Sequence, residues 1–156
     1  GFETVLLVPF FADVEPDAGP VVVRDPKNRE NSDPEEELLS LLNASRKKVR
    51  LPAMIRDKRL DAVAKKHSLD MARNNFFGHT SPQFGGLAKR LEAAGLSPSR
   101  SGENIAGSTT PFRIHRNLMD SPAHRINILN PNYTHVGIGI VEKDGFLSAT
   151  EIYALW

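Results

Sequence analysis

An α+β domain, with helices packed on a sheet, is what this sequence predicts, and two observations carry the prediction. Apolar residues recur at helical spacing from Leu38 to Met119, and the period then drops to two in Val136-Gly-Ile-Gly-Ile-Val141 and Phe146-Leu-Ser-Ala-Thr-Glu-Ile-Tyr153. Those two runs are joined through Lys143-Asp144-Gly145, and Asp-Gly between apolar runs is a strong hairpin signal.

Taken in order, residues 1–25 form a β-rich segment. Thr4 to Phe11 and Val21 to Arg24 are split by the turn-prone Glu15-Pro-Asp-Ala-Gly-Pro20. The apolar residues Leu6, Leu7, Phe10 and Phe11 need a surface to pack on. Either they dock on the rest of this chain, or they end an upstream β domain. Residues 26–33 are polar and turn-rich, a linker, and 34–156 form the main domain. The chain starts at Gly1 rather than Met and reads as processed or cut, with any targeting signal upstream.

Asp33-Pro34-Glu35-Glu36 has the marks of a helix start, an acid at the N-cap and proline at the first helical position. Leu38, Leu39, Leu42 and Val49 give this helix its apolar side, and Leu51-Pro52 ends it. Asp57 caps a second helix to about Asn75, with Leu60, Val63, Ala64, His67 and Met71 on its inner face. A third covers Leu87 to Ala94, with Gly95 placed for a left-handed C-cap. Thr110-Pro111 opens a fourth, whose inner stripe is Ile114, His115, Leu118 and Met119. Ser121-Pro122 ends it and begins a new turn. The two glycines of the first late strand, Gly137 and Gly139, leave room for something to lie close on one face.

Composition narrows the function classes. With 156 residues, 40% hydrophobic and 25% charged, the chain can bury a core of ordinary size. Lys and Arg number 20 against 19 acids, so no basic block points to nucleic acid. Arg46, Lys47, Lys48 and Arg50 are the densest cluster, and at a helix end they complement the dipole. There is no cysteine, which removes disulfides, thiolate catalysis and Cys-type zinc sites. No apolar stretch approaches the length of a transmembrane span.

Chemistry concentrates between residues 79 and 127. His79, between Gly78 and Thr80-Ser81-Pro82, either lines a cleft or is a loop histidine bonded to backbone. Glu103, in Gly102-Glu-Asn-Ile-Ala106, taken alone reads as a solvated loop carboxylate. His124 follows Ser121-Pro122-Ala123; Ser121 can cap the turn and Pro122 stiffen it, fixing the imidazole, or the ring is simply a structural hydrogen-bonding group. Two imidazoles and a carboxylate are the donor types of an open zinc-type site, although no compact HExxH motif is present. His67, among apolar helix positions, reads as a core histidine, and His115 as facing away from the cleft. There is no Gly-x-Ser-x-Gly elbow or phosphate loop, and a serine near a histidine in sequence, as at Ser81 and Ser121, does not make a triad.

Six stretches in order give a further signal: Leu42-Asn-Ala-Ser-Arg46, Ala64-Lys-Lys-His-Ser-Leu-Asp-Met71, Phe77-Gly-His-Thr-Ser-Pro82, Gly102-Glu-Asn-Ile-Ala106, Ser121-Pro-Ala-His-Arg-Ile-Asn-Ile-Leu129 and Val136-Gly-Ile-Gly139. With them the run from about Glu37 to Tyr153 resembles the CAP superfamily (cysteine-rich secretory proteins, antigen 5, pathogenesis-related proteins), specifically its bacterial SCP-like branch. The resemblance implies a three-layer α-β-α sandwich with an antiparallel sheet, and a cleft lined by two histidines and two acids. By motif these fall on His79, Glu103 and His124. The second acid is unmatched: Leu118-Met-Asp-Ser121 puts Ser121 near its place with Asp120 beside it. Thr150-Glu151 stands where bacterial relatives have Thr-Gln, adding a carboxylate near the cleft.

The resemblance also implies a secreted or cell-envelope location in a bacterium. Three functions follow from it. The first is a non-catalytic module binding zinc or another divalent cation through His79 and His124, together with a peptide, glycan or lipid. The second is a metal-assisted hydrolase with Glu103 as general base on a bound water. The third is a structural adaptor with a relict cleft. Losing the second acid favours binding over catalysis.

Overall fold

The computed structural model describes residues 2–5 and 33–156. The chain runs β1 (Phe2–Val5), α1 (Pro34–Lys48), β2 (Ile55–Arg56), α2 (Lys58–Asn74), α3 (Leu87–Ala93), β3 (Arg100–Ser108), α4 (Pro111–Asp120), α5 (Pro122–Ile128), β4 (His135–Lys143) and β5 (Phe146–Leu155). The strands form one sheet in the order β1-β3-β5-β4-β2. The three long strands are antiparallel, and the two short ones join the edges in parallel. The expectations for Leu6 to Phe11, for Val21 to Arg24 and for linker residues 26–32 lie outside the described residues.

The start signals act as anticipated. Asp33 accepts the Glu35 N–H at 3.0 Å, Asp57 the Arg59 N–H at 2.9 Å and Thr110 the Arg113 N–H at 3.2 Å. Each satisfies a donor that the first helical turn leaves without an internal partner. The β4–β5 hairpin turns through Asp144 and Gly145, with φ of 51° and 78°. Positive φ at both central residues is the turn whose twist matches that of the paired strands.

Strand alternation sorts the core into two layers. Val136, Ile138 and Ile140 of β4 and Ala149 and Tyr153 of β5 pack with Leu38, Leu42, Ile114, Leu118 and Ile128 of α1, α4 and α5. On the opposite face Ile152 and Ala154 meet Leu60, Val63, Ala64, Leu87 and Leu91 of α2 and α3. Gly137 and Gly139 lie on this second face, and the body they admit is α2 itself. An ideal Cβ on Gly139 would stand 2.1 Å from Lys65 N, and one on Gly137 2.2 Å from Leu60 C.

Two helix-end expectations are corrected. Val49 is exposed rather than part of the apolar side of α1, because the helix ends at Lys48 and its backbone turns away. Arg46 does not complement the dipole from the surface. It is buried, and its guanidinium donates to the carbonyls of Pro52 (2.8 Å), Ile128 (2.9 Å) and Asn130 (3.0 Å). Arg46 therefore fixes the C-terminal end of α5, the helix that carries His124.

Candidate functional site

Two segments that the sequence suggested were loop or turn are regular elements, and they build the site. Residues 100–108 form β3, paired along its whole length with β5, and 122–128 form α5. The expectation of a solvated loop carboxylate at Glu103 is thereby overturned: it faces Ile152 across the β3–β5 ladder and is fully buried.

Glu103 is paired rather than free. Its Oε1 accepts the His79 Nδ1–H at 2.7 Å and Arg90 Nη2 at 2.8 Å, and its Oε2 accepts Arg90 Nη1 at 2.8 Å. Arg90 Nη2 also donates to the His79 carbonyl at 2.9 Å. Burial alone would raise the carboxyl, but the hydrogen bonds from His79 and Arg90, with the Arg90 charge, hold it below its ordinary range. Glu103 is thus a fixed anion. With the Nδ1 proton directed at it, His79 presents Nε2, which is buried and has no hydrogen-bond partner among the described residues. A carboxylate that sets the tautomer and angle of an imidazole is the usual way a histidine is prepared to ligate or accept.

The loop holding His79 is pinned to α2 on both sides. His67 Nε2 donates to the Gly78 carbonyl at 2.8 Å, and the ring is buried, the core histidine expected from its spacing. Ser81 Oγ donates to Asp70 Oδ2 at 2.5 Å and accepts the N–H groups of Gln83 and Phe84. Ser81 is therefore an anchor for the loop.

The next residue of β3 points to the other face. Asn104 is buried and donates to the His124 carbonyl at 3.0 Å, while Asn127 donates to Asn104 Oδ1 at 2.9 Å. These amides dock α5 on β3. Ser121 stands at the N-cap of α5, but its hydroxyl makes no backbone cap; it meets His124 Nδ1 at 2.7 Å. So His79 with Glu103 is held on the α2–α3 face of β3, and His124 on the α5 face. Asp120 is not among them: it is exposed, with Arg116 at 4.0 Å. His115 lies between α4 and α1, its Nε2 2.7 Å from Ser45 Oγ, away from both histidines of the site.

Glu151 lies inside the protein, on the Asn104 face of the sheet, rather than at a surface cleft. It is fully buried beside Ile138, accepts the Tyr153 hydroxyl at 2.6 Å and leaves Oε2 without a partner among the described residues. Burial pushes its carboxyl from 4.5 up to about 7, against hydrogen bonds from Tyr153 and Asn104. Folding thus favours the neutral acid, and the protein loses stability as pH rises from 4.5 through about 7. Glu151→Gln removes this slope while keeping an acceptor for Tyr153. We expect it to gain up to about 3 kcal/mol on wild type at about pH 8, and far less at about pH 5. Urea unfolding at the two pH values checks this; equal losses between them in both proteins would exclude Glu151 as the titrating group.

For a cation, His79 and His124 stand on opposite faces of β3 with no third donor grouped with them among the described residues. Both Glu103 oxygens are engaged, and among the described residues no three His, Cys, Asp or Glu side chains could together hold an ion. Catalytic zinc takes three protein ligands, so the residues do not fit a catalytic zinc centre. Sequence reasoning missed Arg90. Its signal was an arginine between Leu87 and Leu91 on the inner stripe of a short amphipathic helix, where a charge needs a partner.

The sequence model of the cysteine-rich secretory protein family, CAP, matches residues 39–153. Among curated proteins the chain is 41% identical over 110 residues to the uncharacterized protein YkwD of Bacillus subtilis, covering 70% of this chain and 43% of that one. It is 37% identical over 111 residues to the uncharacterized membrane protein YlbC of the same species, covering 70% and 32%. The chain therefore spans less than half the length of either relative. Among solved structures, an extracellular protein containing an SCP domain from Bacillus anthracis matches with a TM-score of 0.77 at 29% identity, over 89% of this chain and 45% of that one. An outer surface protein from Borrelia burgdorferi shares the fold with a TM-score of 0.75 at 22% identity, over 88% and 98%. Matched from Leu39 to Tyr153 and folded as the α-β-α sandwich of SCP domains, the chain belongs to the cysteine-rich secretory protein family.

Proposed function

We propose that this is an extracytoplasmic binding module that takes a divalent cation and a second ligand where β3 carries His79 on one face and His124 on the other, and that it does not hydrolyse that ligand. The state of Glu103 carries this reading. A general base needs a proton affinity near the working pH. Glu103 has both oxygens engaged and is held as an anion by Arg90 and His79. What the pair supplies is orientation of His79, which suits binding. The extracytoplasmic location is supported by the likeness to an extracellular protein of Bacillus anthracis. Among the described residues no helix is long and apolar enough to cross a membrane.

Zinc titration by calorimetry on the unaltered chain, His79→Ala and His124→Ala tests the cation. We expect weak binding that either substitution weakens further. Heat that is unchanged in both variants would remove the cation from the proposal. A panel of peptide, ester and glycan substrates should show no turnover. Turnover abolished by Glu103→Gln would instead restore the hydrolase.

A further inference from the structure

We infer that the outer edge of β3 is a docking edge for an extended peptide, and that this chain's own residues 2–5 occupy it as an exchangeable internal ligand. The inference rests on the binding reading of the cleft and names the class of its second ligand.

The register of β1 is the starting observation. Phe2, Glu3, Thr4 and Val5 pair in parallel with Gly102, Glu103, Asn104 and Ile105. The added strand thus covers the two residues, Glu103 and Asn104, that organise the site. It also lies against α5, the helix carrying His124. No other segment of β3 is paired by β1: its register ends at Ile105, while β3 runs on to Ser108.

Strand geometry then gives the edge a reading direction. Directly paired residues point their side chains to the same face, and successive residues point to opposite faces. A peptide laid on this edge therefore directs the residue opposite Glu103 to the face of His79 and Arg90. The residue opposite Asn104 goes to the face of His124 and Asn127. Main-chain hydrogen bonds supply affinity, and the two faces sample alternate side chains, which is how strand addition recognises peptides. An edge strand left open invites such pairing, and covering it with a short internal strand both protects and regulates it.

The covering strand is weakly placed to resist exchange. It is four residues long and is joined to α1 through residues 6–32. A segment on the same chain competes intramolecularly, so a partner peptide must outcompete it by concentration or by affinity.

The experiment uses the full chain with Glu3→Pro and Thr4→Pro together. Alternate N–H groups of a strand face its partner, so two adjacent prolines remove at least one ladder donor whichever residue points inward. Amide hydrogen exchange is read at Gly102–Ile105 and, as a fold control, at β4 and β5. We expect protection at some of Gly102–Ile105 to fall at least about tenfold with the control amides unchanged. A synthetic peptide of residues 1–5 at a few millimolar should restore it, and the same peptide carrying the two prolines should not. If the double variant does not fold, spin-labelled peptide added to the unaltered chain takes its place, with broadening expected at Gly102–Ile105. Unchanged protection in the folded variant, failure of the peptide to restore it, or absence of that broadening each overturns the inference. The readout is independent of zinc: a histidine-dependent zinc heat without peptide rescue removes the docking edge alone, and peptide rescue without that heat removes the cation alone.

Discussion

Gly139→Ala is expected to destabilise the protein by about 4 kcal/mol or more, beyond the usual range for a single added methyl group. The Cβ would stand 2.1 Å from Lys65 N, 2.4 Å from Lys65 Cα and 2.5 Å from Ala64 C. All three are backbone atoms of α2, so no side-chain rotation relieves the overlap. The helix must retreat from the sheet, opening the contacts of Leu60, Val63 and Ala64 with Ile152 and Ala154. It would also stretch the bond that now reports the close approach, Ser68 Oγ donating to the Gly139 carbonyl at 2.8 Å. Because α2 anchors the His79 loop through His67 and Asp70, the site should loosen with it. Urea unfolding measures the loss, and Gly78→Ala is the control, since nothing stands within 4 Å of a Cβ there. A Gly139→Ala protein within about 1 kcal/mol of wild type would show that α2 is not held by this contact.

The same glycines show how much of the fold was legible. Period-2 alternation with glycines every second residue announced a strand with something close on one face, and only the structure identifies that body as α2. Helix starts were legible because their signals are local: Asp33-Pro34, Asp57 and Thr110-Pro111 each satisfy their own first turn. The strand β3 was not, for a physical reason. Its sequence, Arg-Ser-Gly-Glu-Asn-Ile-Ala-Gly-Ser, contains residues that disfavour strands in isolation, and what makes it a strand is pairing with β5 and burial of polar side chains against distant partners. The helix α5 is seven residues long, too short to show a period. At the site, the residue types were visible and their state was not. Spacing nominated Glu103 but could not show that Arg90, thirteen residues earlier and on a different element, neutralises it. Arg46 escaped for the same reason, since its carbonyl partners lie as far as 87 residues away, at Tyr133.

Arg90→Met is the second large effect, and it separates a structural pair from a functional one. The substitution keeps most of the side-chain volume and removes the guanidinium, leaving a fully buried carboxylate with only His79 as partner. Breaking a buried pair from one side costs about 3–5 kcal/mol, because the remaining charge is left uncompensated. The sign of its pH dependence follows from the direction in which Glu103 is held. In the wild type its carboxyl lies below the ordinary 4.5, so its contribution is present above that value and is lost as pH falls through the folded one. Without Arg90, burial dominates and raises it, so the variant loses stability as pH rises and the two proteins converge toward about pH 4. Adding Glu103→Gln to Arg90→Met should recover most of the loss, since a neutral amide needs no countercharge and its oxygen still accepts the His79 Nδ1–H. Urea unfolding of wild type, single and double variants at about pH 7 and 4 provides the measurement. A double variant no more stable than the single one would mean that the uncompensated charge is not what costs the energy. Zinc calorimetry on the double variant then isolates the functional part: if orientation of His79 is what the pair contributes, the histidine-dependent heat survives in the double variant and weakens in Arg90→Met alone.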